Sequence, residues 1–193
     1  MDQGIGRVRN TGREAQVEAA LSVRQPLYTP EQRLRRDASR WTLVQGILAP
    51  LQFLVFLISL GLVLRTLATG EGLAVAHASI VVKTLVLYSI MVTGAIWEKE
   101  VFGKYLFAPA FFWEDVFSMG VIALHTAYLV ALTTGWLGTE GLLLLALAAY
   151  LAYVVNAAQF LWKLRLARLD EARRRRPEDR PLGAAAPAME AAK

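Results

Sequence analysis

Hydrophobic residues run along this chain in four long blocks separated by short polar stretches. Between Arg40 and Arg65, between Asp115 and Glu140, and between Glu140 and Lys163 there is no Asp, Glu, Lys or Arg. Each gap exceeds the roughly 20 residues that span a bilayer core. A fourth block, from Leu73 to Trp97, carries charge only at Lys83. Strand-type alternation is absent, so in lipid the backbone must be satisfied by helices. The pattern predicts an all-α fold, an integral membrane four-helix bundle with spans at about 41–67, 73–97, 111–133 and 139–166. Pro50 is expected to kink the first span, and the segment from Glu98 to Pro109 to lie along the interface.

The polar stretches around these blocks predict the rest of the organisation. YTPEQRLRRD, from Tyr28 to Asp37, offers Thr29 as an N-cap, Pro30 at the first helical position and Glu31 and Gln32 in the first turn. It predicts a short interfacial helix turning Arg33, Arg35, Arg36 and Arg40 toward head groups. Residues 1–26 are polar, without aromatics or an apolar core of signal-peptide length. Residues 170–193 are charged and then Ala/Pro-rich. Both are expected to be disordered tails around one transmembrane domain, residues 27–169. Basic residues beside the spans set orientation. They precede the first span, lie between the second and third as Lys99 and Lys104, and follow the fourth, while the other connections offer only Arg65. A multi-pass protein with both termini and the 97–113 segment cytoplasmic is the expectation.

Inside the blocks, polar and small residues recur at helical spacing. The four stripes are Gln45, Ala49, Gln52, Phe56, Ser59; Thr84, Tyr88, Met91, Ala95, Glu98, with Lys83 on the flank; Glu114, Ser118, Val121, His125, Tyr128; and Ala149, Ala152, Asn156, Gln159, Lys163. Such faces belong inside a bundle. At about 1.5 Å per residue, Lys83 and His125 share a depth beyond the midplane. Gln52, Tyr88 and Asn156 lie nearer the cytoplasm, and Glu98, Glu114, Asp115, Gln45 and Gln159 form the mouth of a polar cleft.

Composition agrees with a membrane class: 55% of residues are hydrophobic and mean hydropathy is +0.39. The net charge of +5 and pI near 9.7 raise a nucleic-acid reading. The basic residues cluster beside the spans, however, so membrane lipid is the expected partner and nucleic acid is not. With no cysteine, this chain has no disulfide, thiolate nucleophile or cysteine-held iron-sulfur cluster.

Chemistry concentrates between Trp97 and His125, where six aromatics lie between the acidic pairs Glu98/Glu100 and Glu114/Asp115. Ionisable groups at membrane depth are functional suspects. Each also has a plainer reading. Glu114 and Asp115 suit a helix N-terminus, His125 suits a bond to a neighbouring helix, and the aromatics suit an interfacial belt. Lys83 is too central to snorkel, which points to a buried partner or a substrate carboxylate.

YTPEQRLRRDASRWTLVQGILAPLQFLVF, VVKTLVLYSIMVTGAIWEKEVFGKYLFAPAFFWEDVFSM and ALHTAYL closely resemble the 2-vinyl bacteriochlorophyllide hydratase family, from Tyr28 to about Gly135. The resemblance implies a lyase of bacteriochlorophyll synthesis in anoxygenic phototrophic bacteria, seated in the inner (cytoplasmic or intracytoplasmic) membrane. It would add water across the 3-vinyl group of chlorophyllide a or a related (bacterio)chlorophyllide, giving the 3-(1-hydroxyethyl) product. No organic cofactor and no metal of the protein's own is implied, because magnesium arrives inside the tetrapyrrole. Neighbouring pigment-synthesis enzymes are candidate partners.

The residues suit that reaction on separate grounds. Markovnikov hydration protonates the terminal vinyl carbon, leaves a cation beside the macrocycle, and adds water to it. Glu114 is the expected general acid, with Glu98 or Asp115 orienting water. His125 is a candidate axial ligand to the substrate magnesium or a second proton-transfer group, and Lys83 a candidate for a tetrapyrrole carboxylate. Phe111, Phe112 and Trp113 are expected to stack on the ring or shield the cation, and Tyr88, Gln52 and Asn156 to line the cleft. A non-catalytic pigment-binding or assembly protein shares the aromatic mouth without needing an acid. A small proton-coupled transporter fits less well, since no internal repeat is present.

Overall fold

A computed structural model describes residues 27–174; of the tails expected at 1–26 and 170–193, only 170–174 fall among the described residues, and these are helical. Five helices follow in order: α1 (Pro30–Ala38), α2 (Arg40–Thr69), α3 (Leu73–Phe102), α4 (Phe112–Thr134) and α5 (Thr139–Arg174). The last four are long and apolar enough to cross a membrane. The fold is an all-α membrane four-helix bundle preceded by a short helix.

Local chemistry sets the boundaries. Thr29 caps α1 by accepting from the Gln32 backbone N–H at 3.2 Å, while the Gln32 side chain accepts from the Thr29 N–H at 2.9 Å. This reciprocal box, with Pro30 at the first turn, is typically worth about 1 kcal/mol. Ser39 closes α1 and caps α2, and α2 continues through Pro50 without a break. Helix α3 extends past Trp97 to Phe102, so Glu98 is helical rather than part of an interfacial strand of chain. It stops at Gly103, whose φ of 82° is costly for residues with a Cβ. Helix α5 also outruns the expectation, reaching Arg174 through a Leu-, Arg- and Ala-rich stretch of strong helix formers.

Contacts between chain-distant residues fix the topology. The indole N–H of Trp97 donates to Thr42 Oγ1 at 2.9 Å, and the Ser39 hydroxyl donates to Glu100 at 2.7 Å. These join the start of α2 to the end of α3. Lys163 bonds Glu114, joining the start of α4 to the end of α5. The helices therefore alternate in direction, and α1, the α3–α4 connection and the end of α5 share one end of the bundle. Helix α2 packs on α3 and α4 on α5, with α2–α5 and α3–α4 contacts closing the ring.

Polar side chains lie inward and apolar ones outward, the arrangement lipid imposes. Gln52, Ser59, Lys83, Thr84, His125 and Asn156 are buried, whereas Leu43, Ile47, Leu54, Leu85 and Leu151 are exposed. All five residues of the α4 stripe are buried. In α2 the buried face is Gln52, Phe56, Ser59, Val63 and Thr66, stepping by four and three; Ala49 is exposed. In α3, Lys83 belongs to the buried face with Ile80 and Leu87, not to its flank, and Tyr88 is only half-buried.

Candidate functional site

The acidic residues that flank the α3–α4 connection converge. Glu98 near the end of α3 and Asp115 in the first turn of α4 are both buried, and consecutive backbone amides of the connection between the helices bind the two carboxyls. The connection folds over this pair. The Phe107 N–H donates to Asp115 Oδ2 at 2.7 Å and the Ala108 N–H to Glu98 Oε2 at 3.3 Å. Phe107 reaches this position with φ of 59°, a left-handed conformation that bulky residues rarely adopt. Strain of this kind persists where the surroundings over-determine it, as at functional sites. The helix-terminus reading of Asp115 therefore describes its position but not its neighbours.

Glu114 does something different. Its carboxylate accepts from Lys163 Nζ at 2.5 Å, and the ammonium also lies 5.0 Å from the Phe111 ring centroid. The expected general acid is thus committed to an ion pair that braces α4 against α5. Lys163 stood in the predicted α5 stripe, but spacing carried no sign of which acid it meets.

The aromatic run divides. Phe111 is buried, stacking on Phe160 at 6.0 Å and meeting Trp97 edge-on at 5.8 Å, with Tyr28 and Phe102 completing the cluster. It cannot lie open to a ring at the surface. Phe112 and Trp113 point outward, 44% and 67% exposed, beside exposed Tyr105 and Phe107. An exposed aromatic patch, its rings tilted or edge-on to one another, is thereby presented next to the carboxyl pair. Burial pushes the Tyr28 hydroxyl up to about 12, against the opposing pull of the neighbouring Arg36 guanidinium.

Deeper in the bundle, Lys83 and His125 are fully buried and bond each other through Nζ and Nε2. His125 Nδ1 engages the Val121 carbonyl at 2.7 Å, so both ring nitrogens have protein partners. Lys83 Nζ is 4.3 Å from the Tyr153 ring centroid and 5.2 Å from that of Tyr150. Tyr150 in turn bonds Ser59 at 2.5 Å. The partner that Lys83 required is therefore internal, and the carboxylate and axial-ligand roles have no support in this geometry. His125 is also about 16 Å from Glu114 by helix rise. Tyr88 bonds Thr126 at 2.6 Å on the α3–α4 flank.

Between these two layers lie the cleft residues. Asn156 Nδ2 donates to Ser118 Oγ at 2.9 Å. Gln52 is buried, and neither its Nε2 nor its Oε1 has a hydrogen-bond partner among the described residues; the same holds for Asn156 Oδ1 and Gln159 Oε1. Leaving a buried polar group unpaired typically costs about 1–3 kcal/mol, so these four atoms need an explanation. The backbone amides of Phe107 and Ala108 are the site groups that sequence reasoning missed. Neither Gly nor Asn marks the left-handed turn that aims them.

The family description "2-vinyl bacteriochlorophyllide hydratase" matches residues 28–166. A protein of Cereibacter sphaeroides named 2-vinyl bacteriochlorophyllide hydratase is 77% identical over 145 residues, covering 75% of this chain and 89% of that protein. A protein of the same name from Rhodobacter capsulatus is 69% identical over 149 residues, covering 77% of this chain and 86% of its own. No solved structure matches. The matched region contains all of α1 to α4, both carboxyl pairs and Lys163, and with identity this high across it the chain belongs to the 2-vinyl bacteriochlorophyllide hydratase family.

Proposed function

We propose that the chain is a hydro-lyase adding water across the vinyl group of a bacteriochlorophyllide-type tetrapyrrole, and that the Glu98–Asp115 pair moves the protons. Membership of a family whose curated relatives carry the hydratase name supports the reaction. The observation that carries the site is the buried carboxyl pair held by two backbone amides at the edge of an exposed aromatic face.

The macrocycle rests on the face formed by Tyr105, Phe107, Phe112 and Trp113, with its vinyl arm reaching the pair. A proton held by the pair passes to the terminal vinyl carbon, and the π electrons of the vinyl bond form the new C–H bond. Positive charge develops on the carbon attached to the ring, where macrocycle conjugation and the now doubly anionic pair stabilise it. Water adds there, and the proton it loses returns to the pair, restoring the starting state. The amides of Phe107 and Ala108 hold the carboxyls in place throughout, and Glu114 with Lys163 fixes the start of α4. The addition is redox-neutral and calls on no organic cofactor; magnesium enters as part of the substrate.

The protein sits in a bacterial inner membrane with the carboxyl end of the bundle cytoplasmic. Arg33, Arg35, Arg36, Arg40, Lys99, Lys104, Lys163, Arg165 and Arg168 gather at that end, as the positive-inside tendency requires. The exposed aromatic face also suits hand-over of an insoluble pigment from neighbouring pigment-synthesis enzymes. Conversion of vinyl substrate in membranes tests the assignment. Glu98→Gln and Asp115→Asn each lower turnover by about 10² to 10⁴, the usual worth of positioned proton transfer, while pigment binding persists. Wild-type turnover in both variants would remove the pair from the reaction. Binding without turnover in the unmutated chain would favour a pigment scaffold.

A further inference from the structure

Hydration consumes one water per turnover, and four buried polar atoms near the carboxyl pair have no partner among the described residues. The register between α2 and α5 places them together. Ser59 bonds Tyr150, and the rings of Phe56 and Tyr153 are 5.0 Å apart. Continuing the antiparallel pairing by one turn brings Gln52 level with Asn156. Asn156 is tied to Ser118 of α4, and Ser118 lies one turn along α4 from Glu114 and Asp115. Gln52, Ser118 and Asn156 thus form a polar layer about one helical pitch, roughly 5.4 Å, from the carboxyl layer. Gln159 lies one turn from Asn156 toward Lys163.

This layer offers both donor and acceptor capacity, from Gln52 Nε2 and from Gln52 Oε1, Asn156 Oδ1 and Gln159 Oε1. No net charge accompanies it and no side chain of the described residues saturates it. Small neutral molecules that both donate and accept match this set, and buried water typically makes about three such bonds to otherwise unsatisfied groups.

We infer that Gln52, Asn156 and Gln159 bind water inside the bundle and deliver it to the Glu98–Asp115 pair, with Gln52 as a positioning residue for the nucleophile. The delivery half of this inference rests on the proposed role of the pair; the water site itself does not.

The test is water-edited solid-state NMR of the full chain in lipid bilayers without pigment, with side-chain amides ¹⁵N-labelled. Short-mixing transfer from water to Gln52 Nε2 and Asn156 Nδ2 is expected, with assignments made from Gln52→Met and Asn156→Leu. No transfer to Gln52, or transfer arising only after pigment is added, overturns the water site. Gln52→Met, close in volume, is expected to retain pigment affinity within about twofold and to lower kcat at least tenfold. Dehydration of the hydroxyethyl product should slow by the same factor. Unchanged kcat overturns delivery. If Gln52→Met does not fold, Gln159→Leu read by the same kcat and affinity measurements decides delivery. A water signal that survives in a Glu98→Gln variant with full turnover would separate failure of the carboxyl assignment from failure of the water site.

Discussion

Breaking the Glu114–Lys163 ion pair should damage the fold more than the chemistry, and a double-mutant cycle separates the two. The pair is 2.5 Å long, with side-chain exposures of 10% for Glu114 and 26% for Lys163. Removing one partner of a fully buried pair costs about 3–5 kcal/mol, and exposed pairs are worth under about 1 kcal/mol. With a quarter of the lysine side chain accessible, Lys163→Met falls between these, at about 2–3 kcal/mol, because it strands a buried carboxylate. Glu114→Gln costs less, about 1 kcal/mol, since the ammonium left behind can turn to solvent. The double variant strands no charge and should recover about 2 kcal/mol of the summed losses. Thermal unfolding in detergent micelles reads this, at about 2–4 °C per kcal/mol for a chain of this size. In parallel, the folded double variant should turn over vinyl substrate within about tenfold of wild type, against the loss of about 10² or more from Glu98→Gln. A double variant as stable as wild type yet as slow as Glu98→Gln would refute the reasoning and return Glu114 to the chemistry.

Three further outcomes are expected. Lys83→Met replaces an internal amine by an apolar chain of similar length, so binding of a pigment free acid and of its methyl ester should change equally; a selective loss for the free acid would restore the carboxylate role. Phe107→Val and Phe107→Asn both remove the ring from the aromatic face and should weaken pigment binding alike, but at φ of 59° Asn is tolerated and β-branched Val is not, so kcat should be lower in the Val variant by about tenfold; equal kcat in the two would show that the turn does not hold the pair. For Tyr28, burial raises the folded-state hydroxyl from 10.0 to about 12, so the folded chain holds a proton that the unfolded chain loses. Stability should be unaffected below about pH 10 and fall as pH rises from 10 toward 12, and a Tyr28→Phe chain with the same alkaline loss in thermal melts would assign that loss elsewhere.

Much of this protein is written in one dimension. Three charge-free blocks and one carrying only Lys83 required four spanning helices, because lipid leaves no other partner for the backbone, and Thr29, Pro30 and Gln32 specified the start of α1 through bonds only three residues apart. The inward face of α4, from Glu114 to Tyr128, followed from helical period alone. Pairing between helices did not. Spacing placed Glu98, Glu114, His125 and Lys163 on inward faces with Lys83 on a flank, but which acid meets Lys163, which lies beside Glu98, and whether Lys83 meets His125 or a ligand depend on rotation and register between helices far apart in the chain. The Phe107 turn depends likewise on the anchor that Asp115 supplies, since its own residue type disfavours that backbone. Periodicity is a property of one helix, whereas the carboxyl pair, the ion pair and the unpartnered amide layer each require at least two helices to dock.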